Sequence, residues 1–566
     1  MPLMKPFKIL TLVLPLLHSS LLAAKIGQVE IATLSSNITF EKDAPLVRFS
    51  WKLQVEGRAQ LQTGYRILIA LKSEDLKLPE KLIWDSGQIE SSQSLFVKYD
   101  GPPLKRGVDY HWKVQLRNSN KEKGQWSEPT QFIIPEKPTE FEPNSPSKVE
   151  SRASFHCSDQ TLNQLFNKTV SSRKNNLTTP PSFEPKEHPW GASLQLSARG
   201  YAFEAELETY YDSWLKSFLT NQTEKGLFPA TESKTHHKPI PGHSESGLIV
   251  PFVFWQLTAD TSWIDKAFEP AAAHLAAIQK KDMKFEGVAY GENSDDLGHI
   301  EDPTSQEFLS ICHFALSCRI MIEMAKNKGH FPYIYQHEKW FSYLQKGFKK
   351  SFLDEQNQLT EKSQTAQILA LRFGLLPPEA KQSTANALAK RLEKEGLTAG
   401  IFGQSALLPV LSWTNHHELA VTLAKQYGAE NARPSDVALA ATTEWMLTFL
   451  SGFTHQTPGF KASRVTPFIP KDGSITEVEA HHETPYGRLA IHWKTTETGL
   501  TATVTIPPNT TSIISLPGNK NATITEGDKP IEEASSCKFI RHIEGRIEII
   551  AQSGTYQFEI KNNHNK

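Results

Sequence analysis

Residues Ser363–Ser412 read SQTAQILALRFGLLPPEAKQSTANALAKRLEKEGLTAGIFGQSALLPVLS. Apolar side chains recur here at intervals of three and four, in runs ended by Gly or Pro, which is the pattern of short helices joined by tight turns. The same pattern fills the chain from Phe155 to Phe453, as in TLNQLFNKTVSSRKNNL, GYAFEAELETYYDSWLKSFLTNQ, LIVPFVFWQLTADTSWIDKAF, EFLSICHFALSCRIMIEMAKNKG and SDVALAATTEWMLTFLSGF. Helices that follow one another so closely pack as antiparallel pairs. Periodicity alone leaves two arrangements of such pairs open, a closed barrel and an α-solenoid.

On both sides of this region the period changes from three or four to two. Between Val29 and Ile134, LVRFSWKLQV, GYRILIAL, SLFVKY and YHWKVQLRN alternate apolar and polar residues, which predicts an antiparallel β-sandwich. Trp51, Tyr65, Trp84, Tyr110, Trp112 and Trp126 are expected to fill its core. The stretch PEKPTEFEPNSPSKVES that follows is rich in Pro, Glu and Ser and reads as a linker. From Thr454 onward RLAIHWK, LTATVTIP, TSIISLP, RIEIIAQ and TYQFEI predict a second antiparallel sandwich, packed against the helices.

At 566 residues the chain exceeds what one hydrophobic core serves. Its 61 Lys and Arg nearly balance 62 Asp and Glu, giving a net charge of -1 and no long-range field for nucleic acid or an anionic membrane. Lys5 and Lys8, the apolar run Ile9–Leu17 and the small residues Ala23 and Ala24 read as a signal peptide over residues 1–24. A soluble mature chain, exported to the periplasm or the cell exterior, is the expectation. Cys157, Cys312, Cys318 and Cys537 are spaced for neither a disulfide framework nor a metal pair and are expected as buried free thiols. The sequence holds no P-loop, dinucleotide fingerprint or G-x-S-x-G turn.

Several segments resemble, in order and spacing, the bacterial α-L-rhamnosidases of glycoside hydrolase family 78. They are SQTAQILALRFGLLPPE, LTAGIFGQSALLPVLS, TPGFKASRVTPFIP, ETPYGRLAIHWK and VTIPPNTTSIISLP, with QTGYRI, IWDSG, YHWKVQL and QWSEP near the N-terminus. The resemblance implies an (α/α)6 six-hairpin barrel rather than a solenoid. It further implies a fibronectin-III-like β-sandwich over residues 27–135, a linker over 136–154, the barrel over 155–453 and a C-terminal antiparallel β-sandwich over 454–566. The ligand it implies is a carbohydrate, a rhamnose-containing or related glycan, with no cofactor.

The resemblance also locates the chemistry, at TPPSFEPKEHPWGAS (Thr179–Ser193). Aligned on Trp190, Pro180 stands where the family has an Asp, Glu184 where it has an Arg, Lys186 at its general-acid Glu and Ser193 at its last Asp. Inverting hydrolysis needs a carboxylic acid and a carboxylate base roughly 6.5–9.5 Å apart. A cationic lysine fills neither role and opposes an oxocarbenium-like transition state. Glu187 is the nearest substitute acid. The family's base loop has no counterpart between the helix HHELAVTLAKQYG and the helix SDVALAATTEW, which leaves Glu430 and Asp436 as candidate bases. Asp436, which follows Ser435 at the start of an apolar-periodic run, reads as a helix cap ahead of a catalytic base.

Trp190, Glu184, His243, Glu245, Asp295 and Asp296 are the candidates for holding a sugar. Glu232, His236, His237, His243, Glu245, His299, Glu301 and Asp302 are metal-capable, but their spacing matches no zinc or calcium motif. They read as a solvated polar rim with no metal. Three functions remain open at this level: a divergent glycosidase, a non-catalytic glycan-binding protein, and a structural or partner-binding protein with a filled barrel.

Overall fold

The structure is a computed structural model and describes residues 29–41, 44–55, 57–136, 149, 151–177, 190–229, 239–281, 302–429, 432 and 434–562. The alternating N-terminal segments form β1 (Val29–Glu41), β2 (Ala44–Val55), β3 (Gly64–Ala70), β4 (Trp84–Asp85), β5 (Val97–Lys98), β6 (Asp109–Arg117), β7 (Lys123–Trp126) and β8 (Thr130–Ile133). One sheet has the order β1-β2-β5 and the other β4-β3-β6-β7, with β8 also paired to β6. Along β6 the period of two buries Tyr110, Trp112, Val114 and Leu116, which meet Val47, Phe49, Trp51 and Leu53 from β2. The rings of Phe49 and Trp112 lie 4.4 Å apart at this seam. Trp126 is not part of that core: it packs, partly buried, with Leu68, Ala70 and Leu76 on the outer face, where the Lys113 ammonium lies 4.8 Å from its ring.

A short strand β9 (Ala153–Cys157) precedes the helices. These are α1 (Gln160–Asn176), α2 (Trp190–Glu204), α3 (Glu208–Thr220), α4 (Ser246–Thr258), α5 (Ser262–Lys281), α6 (Gln306–Lys328) and α7 (Phe331–Phe352). They continue as α8 (Gln364–Phe373), α9 (Pro378–Glu395), α10 (Ile401–Gln404), α11 (Leu407–Trp413), α12 (His417–Gly428) and α13 (Asp436–Trp445). The helices α2, α4, α6, α8, α10 and α13 each touch the next, and α13 packs back onto α2. That contact closes the ring, so the (α/α)6 barrel holds and the solenoid is excluded. Helix α11 follows α10 in the inner ring, buried against α8 and α13, and the remaining helices form an outer layer, with α1 on α13, α3 on α4, α5 on α4 and α6, α7 on α6, α9 on α8 and α12 on α11.

Inner helices are enclosed on all sides, which is why their sequences are apolar nearly throughout. Helix α6 is long and apolar enough to cross a membrane, but 89% of that window is buried inside the protein. Cys312 and Cys318 are on it, and all four cysteines are buried and free. Two sequence segments that read as continuous helices are broken. Between α2 and α3, Ala205 bridges to Ser151, and between α4 and α5 the chain turns through Ala259 at φ 61°.

The C-terminal region forms β10 (Phe453–His455), β11 (Ala462–Val465), β12 (Glu477–Thr484), β13 (Gly487–Thr495), β14 (Gly499–Pro517), β15 (Thr523–Glu526), β16 (Lys529–Pro530), β17 (Cys537–Ile543) and β18 (Arg546–Lys561). The strands follow the order β16-β15-β18-β14-β13-β12-β9, with β10, β11 and β17 attached beside it. All pairings are antiparallel except β11 with β14. The long β14–β18 ladder slips between Ile506 and Thr511, where Pro507 and Pro508 have no N–H to donate.

One pairing is absent from the sequence reading, which placed residues 136–154 in a linker and started the helices at Phe155. Ala153–Cys157 is instead a strand of the C-terminal sheet, with Cys157 opposite Val478 and Ala153 opposite His482. Buried Trp493 donates its indole N–H to the Leu450 carbonyl at 3.0 Å and ties the same sheet to the end of the barrel. The N-terminal sandwich is fastened to both neighbours, through the buried Arg48–Asp260 pair at 2.7 Å and the bidentate Arg58–Glu526 pair.

Candidate functional site

The inner helices start side by side on one rim of the barrel. The hydroxyls of Thr304 and Ser363, just ahead of α6 and α8, are 2.7 Å apart, and Gln364 Oε1 accepts the Thr398 N–H at 2.8 Å just ahead of α10. Asp302, among the metal-capable residues of the sequence reading, is used to hold this rim. It accepts the Gln364 N–H at 3.0 Å and the Thr398 hydroxyl at 2.6 Å, and pairs with Arg391 at 3.1 Å. Among the described residues no group of three His, Cys, Asp or Glu is placed to hold a metal ion.

Of the sequence-predicted site residues, His243 and Glu245 lead into α4 and Asp436 opens α13, so topology brings these three to this rim. Glu184, Glu187, Asp295, Asp296 and Glu430 lie outside the described residues, as does the side chain of Trp190, whose backbone opens α2. His243 and Glu245, read as a solvated rim, are 2% and 0% exposed, so that reading fails for both. Burial pushes the His243 imidazole down to about 4, keeping it neutral. Asp436 follows the cap of α13: Ser435 accepts the Ala438 N–H at 3.2 Å, and the Asp436 carboxylate takes a 2.6 Å hydrogen bond from Ser172 on α1.

Below the rim, on the barrel axis, is a cavity of about 60 Å³, several times the space one water needs. Every inner helix contributes to it: Gln195 and Arg199 from α2, Val253 from α4, His313 from α6, Arg372 from α8, Phe402 from α10 and Glu444 from α13. Arg199 Nε donates to Glu444 Oε1 at 2.5 Å in a pair that is almost fully buried on both sides. Burial works against the Glu444 carboxylate, yet positive charge that includes Arg199 and Arg372 holds it below the ordinary range. His313 is pushed down to about 3, by burial first and by its neighbour His243 second, and is neutral. Glu444 lies eight residues beyond Asp436 on the same helix, about 12 Å deeper along it. These two carboxylates therefore do not converge on one point.

Arg199, Arg372, His313 and Glu444 are absent from the sequence-derived candidates because they sit inside apolar helical runs, LSARGYAF, ILALRFGLL and AATTEWML among them. The usable signal was the charge itself, since an ionised side chain is rarely buried without a partner or a purpose.

Residues 150–445 match a family model described as the bacterial alpha-L-rhamnosidase 6 hairpin glycosidase domain. Residues 28–134 match a Rha78A-like N-terminal immunoglobulin domain, and residues 452–530 a bacterial alpha-L-rhamnosidase C-terminal domain. Among curated relatives, an alpha-L-rhamnosidase of Formosa agariphila is 24% identical over 462 residues, 73% of this chain and 49% of the relative. Another, of Streptomyces avermitilis, is 21% identical over 443 residues, 72% of this chain and 42% of the relative. The chain thus spans about half the length of the curated relatives it matches. In fold it is similar to the Streptomyces avermitilis alpha-L-rhamnosidase complexed with L-rhamnose, with a TM-score of 0.80 at 12% identity, covering 94% of this chain and 100% of the other. The alpha-L-rhamnosidase from Dictyoglumus thermophilum superposes with a TM-score of 0.82 at 14% identity, covering 95% of this chain and 100% of the other.

Proposed function

The chain belongs to the bacterial α-L-rhamnosidases, glycoside hydrolase family 78, and on that premise we propose that its barrel rim recognises a rhamnose-bearing or related deoxysugar glycan without the family's hydrolytic step. The observation that carries the ligand class is the end-to-end likeness to a rhamnosidase structure that holds L-rhamnose. What argues against hydrolysis is the state of the carboxylates. Lys186 stands at the general-acid position, Asp436 is bound by Ser172, and Glu444 is locked to Arg199. A buried carboxylate already paired with a guanidinium is a poor proton donor and a poor base. Export through the leader at residues 1–24 belongs to the same proposal and suits a protein that meets polymeric glycans.

The second reading is a divergent glycosidase in which Glu187, one residue from the aligned position, is the acid. One experiment separates the two: the full chain is assayed on aryl α-L-rhamnosides and on a glycan array, beside Glu187→Gln. Saturable binding of rhamnosylated glycans with no turnover is the expected result. Turnover that Glu187→Gln abolishes would establish the glycosidase, and absence of all sugar binding would leave only the structural role.

A further inference from the structure

The cavity on the barrel axis is charged in a way the Arg199–Glu444 pair does not balance. Its lining includes two guanidinium groups, Arg199 and Arg372, against one carboxylate, Glu444. Arg199 is 5% exposed, and its Nη1 and Nη2 have no hydrogen-bond partner among the described residues. Arg372 Nη1 is likewise buried and without a hydrogen-bond partner. The nearby imidazoles leave this count unchanged: His313 and His455 are both held neutral by burial. Leu196, Ile249, Val253, Leu316, Leu369 and Phe373 make the rest of the wall largely apolar, so water and dipoles screen little of the excess charge. Arg199 is buried and Arg372 half-buried, and two cations facing one cavity, each with a buried donor left over, are costly unless an anion completes them.

We propose that this cavity is a carboxylate-binding site, in which the free Nη donors of Arg199 and Arg372 grip the two oxygens of one ligand carboxylate. The planar guanidinium matches a carboxylate in geometry, and the ligand's charge brings the lining to neutrality. A sugar acid or a small free carboxylate would each supply that group. The burial that depresses the Arg372 guanidinium below its ordinary value fits a cation waiting for a counter-charge. The inference stands apart from the rhamnoside reading, because a neutral deoxysugar supplies no such charge.

The full chain is titrated calorimetrically with sodium glucuronate, sodium acetate and L-rhamnose at constant ionic strength, and so are Arg372→Met and Arg372→Lys. Wild type is expected to bind at least one carboxylate, Arg372→Met to bind it at least about tenfold more weakly, and Arg372→Lys to fall between. Glucuronate binding without acetate binding identifies a glycan acid as the source, and equal binding identifies a free carboxylate. Without ligand, Arg372→Met is expected to melt no lower than wild type, because it removes a half-buried guanidinium with a donor left over while Arg199 still pairs with Glu444. Failure of both carboxylates to bind wild type overturns the proposal. So does unweakened binding by Arg372→Met, or an Arg372→Met chain that fails to fold, since the guanidinium would then already be satisfied within the protein. L-rhamnose binding bears only on the rhamnoside reading.

Discussion

Glu444 and Arg199 show how little of a buried site is visible one residue at a time. Each looks like an error in an apolar helix, and only the closed ring makes them partners. Glu444→Gln leaves two guanidiniums beside one cavity with no carboxylate, and urea denaturation is expected to show a loss of about 3–5 kcal/mol. A loss under about 1 kcal/mol would mean that the pair is not the buried contact described here. The buried histidines add a pH dependence. His243 is held at about 4, and His274 and His313 at about 3, all below the 6.5 of an exposed imidazole. Between those values the unfolded chain binds more protons than the folded one, so stability rises with pH across this window and falls on acidification. Each is expected to contribute a loss of about 1–2 kcal/mol on going from pH 7 to pH 5. His274, whose Nδ1 accepts the Phe228 N–H at 2.9 Å, isolates one such contribution. Denaturation of wild type and His274→Gln at both pH values checks it, with a smaller acid loss expected in the variant.

Element boundaries were readable where a capping side chain or a glycine marks them and obscure where tertiary contacts decide. Ser363 and Ser435 cap α8 and α13 as their sequences suggest, and Gly329 ends α6 in the left-handed conformation. The break between α2 and α3 has no such marker, because it depends on an isolated bridge to Ser151, more than fifty positions earlier. The start of α2 at Trp190 was likewise hidden behind the proline-rich stretch before it. For α13, the division of labour between Ser435 and Asp436 is testable by thermal denaturation. Ser435→Ala, which removes the cap, is expected to cost about 1 kcal/mol. Asp436→Asn, which keeps a hydrogen-bonding partner for Ser172, is expected to cost under about 0.5 kcal/mol. The reverse order would show Asp436 to be the residue that holds this end of the helix.

At the scale of the molecule, period and spacing were sufficient for three regions and their classes, because each layer must bury one continuous apolar face. How the regions hold one another was not legible, since Arg48 and Asp260 are 212 positions apart and nothing local pairs them. Arg48→Met leaves Asp260 buried without its cation and is expected to loosen the N-terminal sandwich from the barrel. Limited proteolysis should then separate the N-terminal sandwich from the barrel faster than in wild type; unchanged cleavage would place the fastening elsewhere. The strand β9 sets a timetable as well as a contact. Its partner residues in β12 begin at Glu477's neighbour Val478, opposite Cys157, so during synthesis β9 leaves the ribosome 321 residues ahead of the strand it pairs with (478 minus 157). At the usual pace of translation that is a wait of roughly 15–60 s. Throughout it the edge of β9 waits for its partner, and until α13 emerges the ring of apolar helices is unclosed, so a chaperone has its longest opportunity to engage the nascent chain there.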